Sequence, residues 1–516
     1  MAASSVDEIP RPARTAPVEL RTLAAGRGRV HGGDAVISGI TASSQRVRPG
    51  DLFAALPGRT AHGASFASGA VADGAVAVLT DEPGYGTIAA DVPAIVVPDV
   101  RTVLGPLAAD VYGNPSTSMR VLGVTGTSGK TTTTYLMRAG LLAAGRVPGL
   151  IGTVATMIGD DTLEAGFTTP EAPELQALLA VMLERGVTDV AMEVSSHALA
   201  MYRVDGVRFD VAAFTNLSED HLDFHPDMWD YFRAKMRLFD LTDTTVIVRD
   251  DEWGERAVAA VGDCITVRTG AGGNDDSWEA HDIEERADGT TTFRALGPWW
   301  SAPNQMGESR RIDLEMGCAI PGRYNVANAL LALAMLYEAG VDPAVAAPAI
   351  AGSSVPGRME RIDAGQPFLA VVDYSHKPAA VDGALRALRP LTRGRLVIVL
   401  GCGGDRDRGK RPHMGEIAAR DADLLIVTDD NPRSEDAAAI RAAMRAGADA
   451  VPPDERGEIL EIGDRRTAIE TAVAQARPGD TVLIAGKGHE TGQEIDGVVH
   501  PFDDRAVLRA AIGVTP

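Results

Sequence analysis

The densest run of chemically capable residues in the 516-residue sequence is VLGVTGTSGKTTTT, Val121 to Thr134. An apolar, strand-forming run (Val121, Leu122, Val124) stops at a loop carrying Gly123, Gly126 and Gly129. Lys130, Thr131 and a helical pattern follow. Glycines let backbone N–H groups close on phosphate oxygens, a lysine adds a point charge for the outer phosphates, and a threonine hydroxyl at a helix N-terminus suits Mg²⁺. The stretch therefore reads as a nucleotide-phosphate cradle, although Val124 stands where the strict G-x-x-x-x-G-K-[ST] form has its first glycine. Tyr135, Ala139, Leu142 and Ala143 are expected to form the buried face of the helix that follows.

Two further strands deliver candidate ligands. VTDVAMEVSSHAL (187–199) ends by presenting Glu193, and VAAFTNLSEDHLDFH (211–225) presents Asn216, Asp220 and His221. In a parallel sheet all of these emerge at the carboxyl edge, beside the cradle. Taken singly, Glu193 can cap a turn and His221 can be a hydrogen-bonded loop histidine; their shared position favours metal binding. In the helix 228–240, Tyr231, Phe232, Met236 and Phe239 make an apolar stripe, and Lys235 reads by itself as a surface lysine at its edge.

The elements that must position these groups are α/β throughout, in three domains. Residues 1–18 lack an apolar signal core and read as a disordered leader. Residues 19–114 form a small α/β domain, 115–353 a central parallel-sheet domain, and 354–516 a doubly wound domain. In the last, strands near 368–373, 396–400, 424–428 and 481–485 alternate with helices near 379–389, 414–422, 436–447 and 466–476. Each of those strands runs into a polar loop: DYSHKP, GCGGDRDRGKR, DDNPR and GKGHE. Four such loops at one sheet edge are the expected place for a ligand.

Composition narrows the function classes. A net charge of -22 repels nucleic acid and anionic membrane alike, so neither is an expected partner. Cys264, Cys318 and Cys402 lie far apart with no metal-type spacing, which suits a reducing compartment. No apolar run reaches the length of a membrane span. A cytoplasmic protein, acting as a monomer, is expected.

The ordered set GVTGTSGKTTT, TTPE, MEVSSHAL, FTNLSEDHLDFH, the helix holding Lys235, PGRYNVAN, VPGRME, DYSHKP, GCGGDRDRGKR, DDNPR and AGKGHE resembles the Mur ligases of peptidoglycan synthesis, over nearly the whole chain from about Ser38. Within that family it is most similar to the member that adds the third amino acid of the peptide. The resemblance implies a uridine-binding N-terminal domain, a central P-loop ATPase domain and a Rossmann-like amino-acid-binding C-terminal domain. It implies ATP as co-substrate on Gly126, Thr127, Ser128, Gly129, Lys130, Thr131 and Thr132, with Arg358, Asp373 and His376 reaching the nucleotide. It also implies two Mg²⁺, one on Thr131 and Glu193, the other on His221 and Lys235, the lysine being carbamylated by CO₂. With Lys130, these groups would be the catalytic set.

UDP-N-acetylmuramoyl-L-alanyl-D-glutamate is implied as the acceptor, on Ala42, Ser44, Arg59, Thr60 and Ala61 at the uridine end and on Thr168, Thr169, Ser195 and Arg203 further along. The loop Asp430, Asn431, Pro432, Arg433, with Arg406, Gly486 and Glu490, implies meso-diaminopimelate as the incoming amino acid. Its distal carboxylate would be gripped by a guanidinium, and Glu490 suits an ammonium. Without that partner Arg433 is expected to be buried and unpaired. Two stretches depart from the family pattern, Val248 to Asp251 near the adenine and Ser43-Ser44-Gln45 in the uridine loop. Alternatives at this point are the same ligase accepting L-lysine, a folylpolyglutamate-type relative, and an ATP-binding scaffold that forms no bond.

Overall fold

The computed structural model describes residues 10–58, 60–163, 168–272, 277–286, 289–298 and 311–514; Arg59 and residues 1–9 of the leader lie outside the described residues. The chain packs as two units. One comprises 1–268, 272–278 and 330–346, the other 269–271, 279–329 and 347–516.

Among the described residues the first unit holds two main sheets beside a two-stranded pairing. The smaller runs, in spatial order, Arg29–His31, Ala94–Val96, Ala77–Thr80, Asp51–Ala54 and Gly39–Thr41, parallel except at the first strand. Its three inner strands are short and buried along their full length, as a covered parallel sheet requires, with Asp51 and Thr80 as polar exceptions to their apolar run. Its core extends into Ala172, Ala177 and Ala180, so one face of the helix Ala172–Glu184 packs against the small sheet's core. Within the expected leader, the described residues from 10 onward are held against the fold. Arg11 bonds both carboxylate oxygens of buried Asp51 at 2.7 and 2.8 Å, and Val18–Glu19 pairs with Val36–Ile37. A charged partner inside the fold, invisible to a composition argument, ties that segment down.

The larger sheet has the order Asp161–Leu163, Thr156–Ile158, Pro148–Ile151, Asp189–Glu193, Arg120–Thr125, Phe209–Phe214, Thr242–Val248, Ile265–Arg268. Its six central and later strands are parallel, with Glu193 in register with Val124 and Phe214 with Thr125. Three carboxyl ends thus lie side by side, and the central one feeds the glycine loop.

The helix Lys130–Ala143 buries a different face from the expected one. Thr133, Leu136, Met137, Gly140 and Leu141 point inward, whereas Leu142 is 42% exposed and Ala143 faces solvent. The buried stripe is set two residues earlier, which a short apolar pattern interrupted by four threonines does not reveal. Those threonines, poor helix formers by propensity, are all buried. The hydroxyls of Thr133 and Thr134 return to the carbonyls of Gly129 and Thr131 at 3.0 Å each.

In the second unit, Ser277–Glu285, Thr291–Pro298 and Arg311–Cys318 make an antiparallel run. The doubly wound sheet has the order Glu360–Arg361, Leu369–Asp373, Thr481–Ala485, Leu396–Leu400, Leu424–Val427, Glu458–Glu461, parallel after the first strand. The strands Leu396–Leu400, Leu424–Val427 and Thr481–Ala485 are buried along their full length. A hairpin, Gly492–Ile495 with Val498–Pro501, follows the last long strand.

Candidate functional site

At the cradle the backbone does the shaping. Gly126 has φ 146° and Gly129 φ 88°. A Cβ on Gly126 would lie 1.8 Å from the Thr215 hydroxyl oxygen, so a loop this tight admits no side chain there. The neighbouring loop braces it. Thr127 N–H donates to the Asn216 carbonyl at 3.0 Å, Ser128 N–H to Asn216 Oδ1 at 3.0 Å, and the Thr215 hydroxyl to the Ser128 carbonyl at 2.6 Å. Tyr231 reaches the Thr127 hydroxyl at 3.2 Å, and burial pushes its phenol pKa well up, so it stays neutral.

Two lysines converge here. Lys130 Nζ donates to the Gly126 carbonyl at 2.8 Å and to Thr127 O at 3.0 Å, and Lys235 Nζ donates to the same Gly126 carbonyl at 2.8 Å. Lys235 is 1% exposed and lies 4.4 Å above the Tyr231 ring. The surface-lysine reading of this residue is therefore wrong. The helix Met228–Met236 buries Tyr231, Phe232, Ala234 and Lys235, while Met236 and Phe239 are only partly covered. An apolar stripe read from sequence leaves out a buried lysine whose partner, the Gly126 carbonyl, lies far away in the sequence.

Glu193, 1% exposed, accepts from Thr153 N–H at 2.8 Å and from its hydroxyl at 3.1 Å; Thr168 lies 3.0 Å from that hydroxyl. His221 has φ 54° and its Nε2 lies 3.2 Å from Asp220 Oδ2. His225, whose N–H donates to the His221 carbonyl at 2.8 Å, is held between Asp230 (2.8 Å) and Ser196 (3.1 Å). Thr131 is 5% exposed. Among the described residues no three His, Cys, Asp or Glu side chains converge as a ready-made metal cluster. A cation held here would have the Thr131 hydroxyl, the Glu193 carboxylate and the His221 imidazole as its candidate protein donors, with phosphate oxygens completing its shell. The donor set fits Mg²⁺, which keeps few protein ligands and shares its shell with phosphate.

Thr169, Ser195 and Arg203 are joined: Ser195 N–H donates to the Thr169 hydroxyl at 3.2 Å, that hydroxyl to Glu193 O at 2.9 Å, and Arg203 to Thr169 O at 3.3 Å and to Glu171 at 2.8 Å. In the small sheet, Ala42 and Ser44 follow the strand Gly39–Thr41. Thr60 and Ala61 follow its parallel neighbour Asp51–Ala54, where Gly58 N–H donates to Ala61 O at 3.1 Å. Both loops leave the same edge.

In the second unit, Arg358, Asp373 and His376 gather around Tyr374, a residue the sequence reading passed over. The Arg358 guanidinium lies 4.3 Å above the Tyr374 ring and His376 packs against it at 4.4 Å. Asp373, 9% exposed, accepts from Met359 N–H at 2.7 Å and from Ser375; burial raises its pKa. His376 Nδ1 donates to the Tyr374 carbonyl at 2.7 Å, and burial, aided by nearby Lys377, lowers its pKa to about 3. It is neutral at physiological pH.

The loop Asp430 to Arg433 meets Gly486 and Glu490 through Lys487, fully buried and not singled out from the sequence. Lys487 Nζ donates to Asn431 Oδ1 at 2.8 Å and to Glu490 at 3.1 Å, with Asp430 at 3.7 Å; Asn431 Nδ2 donates to Glu490 at 2.9 Å. The signal was in the AGKGHE run itself, a lysine between two glycines at a strand end. Glu490 is thus already engaged by an ammonium of the chain. The expectation of an unpaired Arg433 also fails. Its side chain is 24% exposed, its Nε donates to Glu494 at 3.1 Å and its NH1 to the Gly404 carbonyl at 2.7 Å. Pro432 sits between these groups. Arg406 is solvent-facing and the structure does not bring it into this network.

Family models match the chain at residues 124–336 (Mur ligase middle domain), 357–488 (Mur ligase, glutamate ligase domain) and 36–112 (Mur ligase family, catalytic domain). The chain is 53% identical over 511 residues, 98% of both sequences, to a UDP-N-acetylmuramoyl-L-alanyl-D-glutamate--2,6-diaminopimelate ligase of Streptomyces avermitilis. The chain belongs to the Mur ligase family. A protein of the same name from Corynebacterium glutamicum is 50% identical over 491 residues, covering 93% of this chain and 92% of its own. A solved structure of another bearer of that name matches with a TM-score of 0.66 at 33% identity, over 92% of this chain and 95% of that one. The three-domain α/β architecture expected for a Mur ligase is the one found. Among the described residues no helix is long and apolar enough to cross a membrane.

Proposed function

We propose that this Mur ligase joins meso-2,6-diaminopimelate to the D-glutamate of UDP-N-acetylmuramoyl-L-alanyl-D-glutamate, with conversion of ATP to ADP and phosphate, in the cytoplasm. The reading is supported above all by chain-long identity to relatives of that name. The cradle built on Gly126, with Lys130 and Lys235 converging on it, supports the ATP half.

The D-glutamate carboxylate oxygen attacks the γ-phosphorus, the bond to the bridging oxygen breaks, and ADP leaves. The resulting acyl phosphate is attacked by the amino group of diaminopimelate, which loses a proton as phosphate departs and the amide forms. Lys130 and the loop N–H groups hold the phosphates where negative charge builds. Thr131 with Glu193 would hold one Mg²⁺ and His221 with carbamylated Lys235 a second, neutralising phosphoryl charge when bound.

The convergence of two amines on one carbonyl oxygen argues for the carbamate. As two ammoniums they repel at close range; CO₂ capture turns Lys235 into an anion beside Lys130. Thr168, Thr169, Ser195 and Arg203 are assigned to the muramoyl peptide, and Ala42, Ser44, Arg59, Thr60 and Ala61 to the uridine end. Arg358, Asp373 and His376 are assigned to the nucleotide by family resemblance. The loop at Asp430 to Arg433, with Gly486 and Glu490, is assigned to diaminopimelate, and solvent-facing Arg406 is assigned there by family resemblance alone.

Mass spectrometry of reactions containing the UDP-linked dipeptide, ATP, Mg²⁺ and either diaminopimelate or L-lysine tests the reading. A tripeptide product formed only with diaminopimelate is expected. Product formed with lysine in preference rejects the amino-acid assignment, and ATP binding with no product in either reaction favours a scaffold.

A further inference from the structure

The hairpin after the last sheet strand is stitched to the amino-acid loop. Arg433 N–H donates to the Glu494 carbonyl at 3.0 Å, Asp496 N–H to the Arg433 carbonyl at 2.8 Å, and Glu494 N–H to Asn431 Oδ1 at 3.1 Å. Gln493 adds a bond from Nε2 to the Asp430 carbonyl at 2.7 Å. The strand Gly492–Ile495 thus extends alongside the loop, and Arg433 and Ile495 form a parallel bridge. Arg433 takes φ 53°, a left-handed conformation that a non-glycine residue keeps only where its surroundings fix it. The backbone bonds supply that fixing. The Glu494 side chain is therefore not needed to hold the loop and is available for something else.

What it holds is the guanidinium. Glu494 takes Nε and the Gly404 carbonyl takes NH1, so the plane of the group is pinned from two sides. NH2 has no hydrogen bond among the described residues. A guanidinium clamped in this way presents the remaining N–H groups of its terminal edge in one fixed direction, and a planar carboxylate needs that for a two-point grip. An unclamped arginine of this length would first have to lose its rotamer freedom on binding.

We propose that Glu494 is a specificity-determining positioning residue. It orients Arg433 so that the enzyme favours an amino acid with a distal carboxylate over one without. The proposal rests on the assignment of diaminopimelate to this loop. Glu494 acts through Arg433 and touches no reacting atom. Its side chain is 38% exposed, and exposed ion pairs contribute about 0–1 kcal/mol to stability, so its removal leaves the fold in place.

The test is steady-state kinetics on the full-length enzyme for wild type, Glu494→Ala, Glu494→Gln and Arg433→Ala, varying diaminopimelate, ATP and the UDP-linked dipeptide in turn, with L-lysine as the competing amine. Glu494→Ala is expected to raise the diaminopimelate KM by roughly three- to tenfold, less than Arg433→Ala, in keeping with the net worth of one hydrogen bond at a partly exposed site. The kcat at saturation and the KM values for ATP and dipeptide should stay within about twofold, while preference over lysine falls by the same factor as the diaminopimelate KM rises. Glu494→Gln keeps an acceptor for Nε and should recover most of the loss. An unchanged or lower diaminopimelate KM in Glu494→Ala overturns the proposal, as does a parallel rise in all three KM values, which would mark a merely structural role. A wild type that makes no diaminopimelate product would instead reject the functional reading beneath it.

Discussion

The phosphate cradle and the amino-acid loop are both polar turns at the carboxyl edges of parallel sheets, yet they are built by opposite means. The cradle is made of backbone. Glycines at positive φ, N–H groups aimed by the register of three strands, and a loop from the next strand end hold its shape. The amino-acid loop is made of charges that satisfy one another: Lys487 with Asn431, Glu490 and Asp430, and Arg433 with Glu494. A cradle for triphosphate, which every substrate cycle shares, needs close approach more than discrimination. On the proposed assignment, a loop that tells one diamino acid from another needs side chains with fixed directions, and fixing them takes partners that a ligand does not supply.

The cradle half of this contrast breaks most sharply at Gly126. With its φ of 146° and a Cβ that would meet Thr215 Oγ1 at 1.8 Å, Gly126→Ala has to displace either the loop or the strand end beside it. Turnover with ATP is expected to fall by on the order of a thousandfold, as for loss of a set of preorganised donors. Nucleotide binding measured by calorimetry should fall with it, while the amino-acid loop is untouched. Lys235→Ala probes the same place differently. If the lysine works as a carbamate, millimolar acetate or formate should restore part of the lost turnover, and added alkylamines should not. Rescue by the amine would contradict the carbamate.

At the other pole, Lys487→Ala removes the cation on which the loop's carboxylates depend. Breaking a buried charge pair from one side costs about 3 kcal/mol or more. That loss should appear as faster amide exchange in Leu424–Val427 and Thr481–Ala485, with exchange in Arg120–Thr125 unaltered. A loss of less than about 1 kcal/mol would mean that Asp430 and Glu490 find other partners and that the loop is less self-contained than it looks.

This contrast also explains what could be read before the structure. The cradle's glycines, lysine and threonine are defined by local spacing, and the strands of the doubly wound sheet announce themselves as buried apolar runs, within a residue or two of Leu396–Leu400 and Thr481–Ala485. The face of the helix after the cradle is hard to read because four threonines open it, and the apolar stripe that goes inward, Leu136, Met137 and Leu141, spans little more than one turn beyond them. Lys235 and Lys487 were opaque for a related reason: a buried lysine is specified by partners more than 50 residues away, Gly126 for one and Asn431 for the other. Arg11 was likewise placed in a free leader because its partner, Asp51, lies 40 residues on. The partnerships of Arg433 depend on a hairpin whose strands, Gly492–Ile495 and Val498–Pro501, carry little apolar alternation to announce them.

The smallest expected effect concerns pH, and it bears on whether the second unit's polar edge is held by burial or by charge. His376 has its pKa lowered from the ordinary 6.5 to about 3, burial being the main cause. The unfolded chain therefore binds a proton below pH 6.5 that the folded chain refuses. Stability is full above that pH and declines as pH falls toward 3, by about 2 kcal/mol at pH 5. Glu435, lowered to about 2 chiefly by its hydrogen bond from Arg411, acts in the same direction but only below 4.5. His197 in the first unit is also shifted down by burial, so an overall acid profile does not isolate His376. The comparison with His376→Gln does, because glutamine can donate to the Tyr374 carbonyl and cannot titrate. Amide exchange in Leu369–Asp373, followed from pH 7 to pH 5 and corrected for intrinsic rates, should show the wild type losing protection that the variant keeps. Equal losses in both proteins would place the histidine in water and assign the acid response to the other groups.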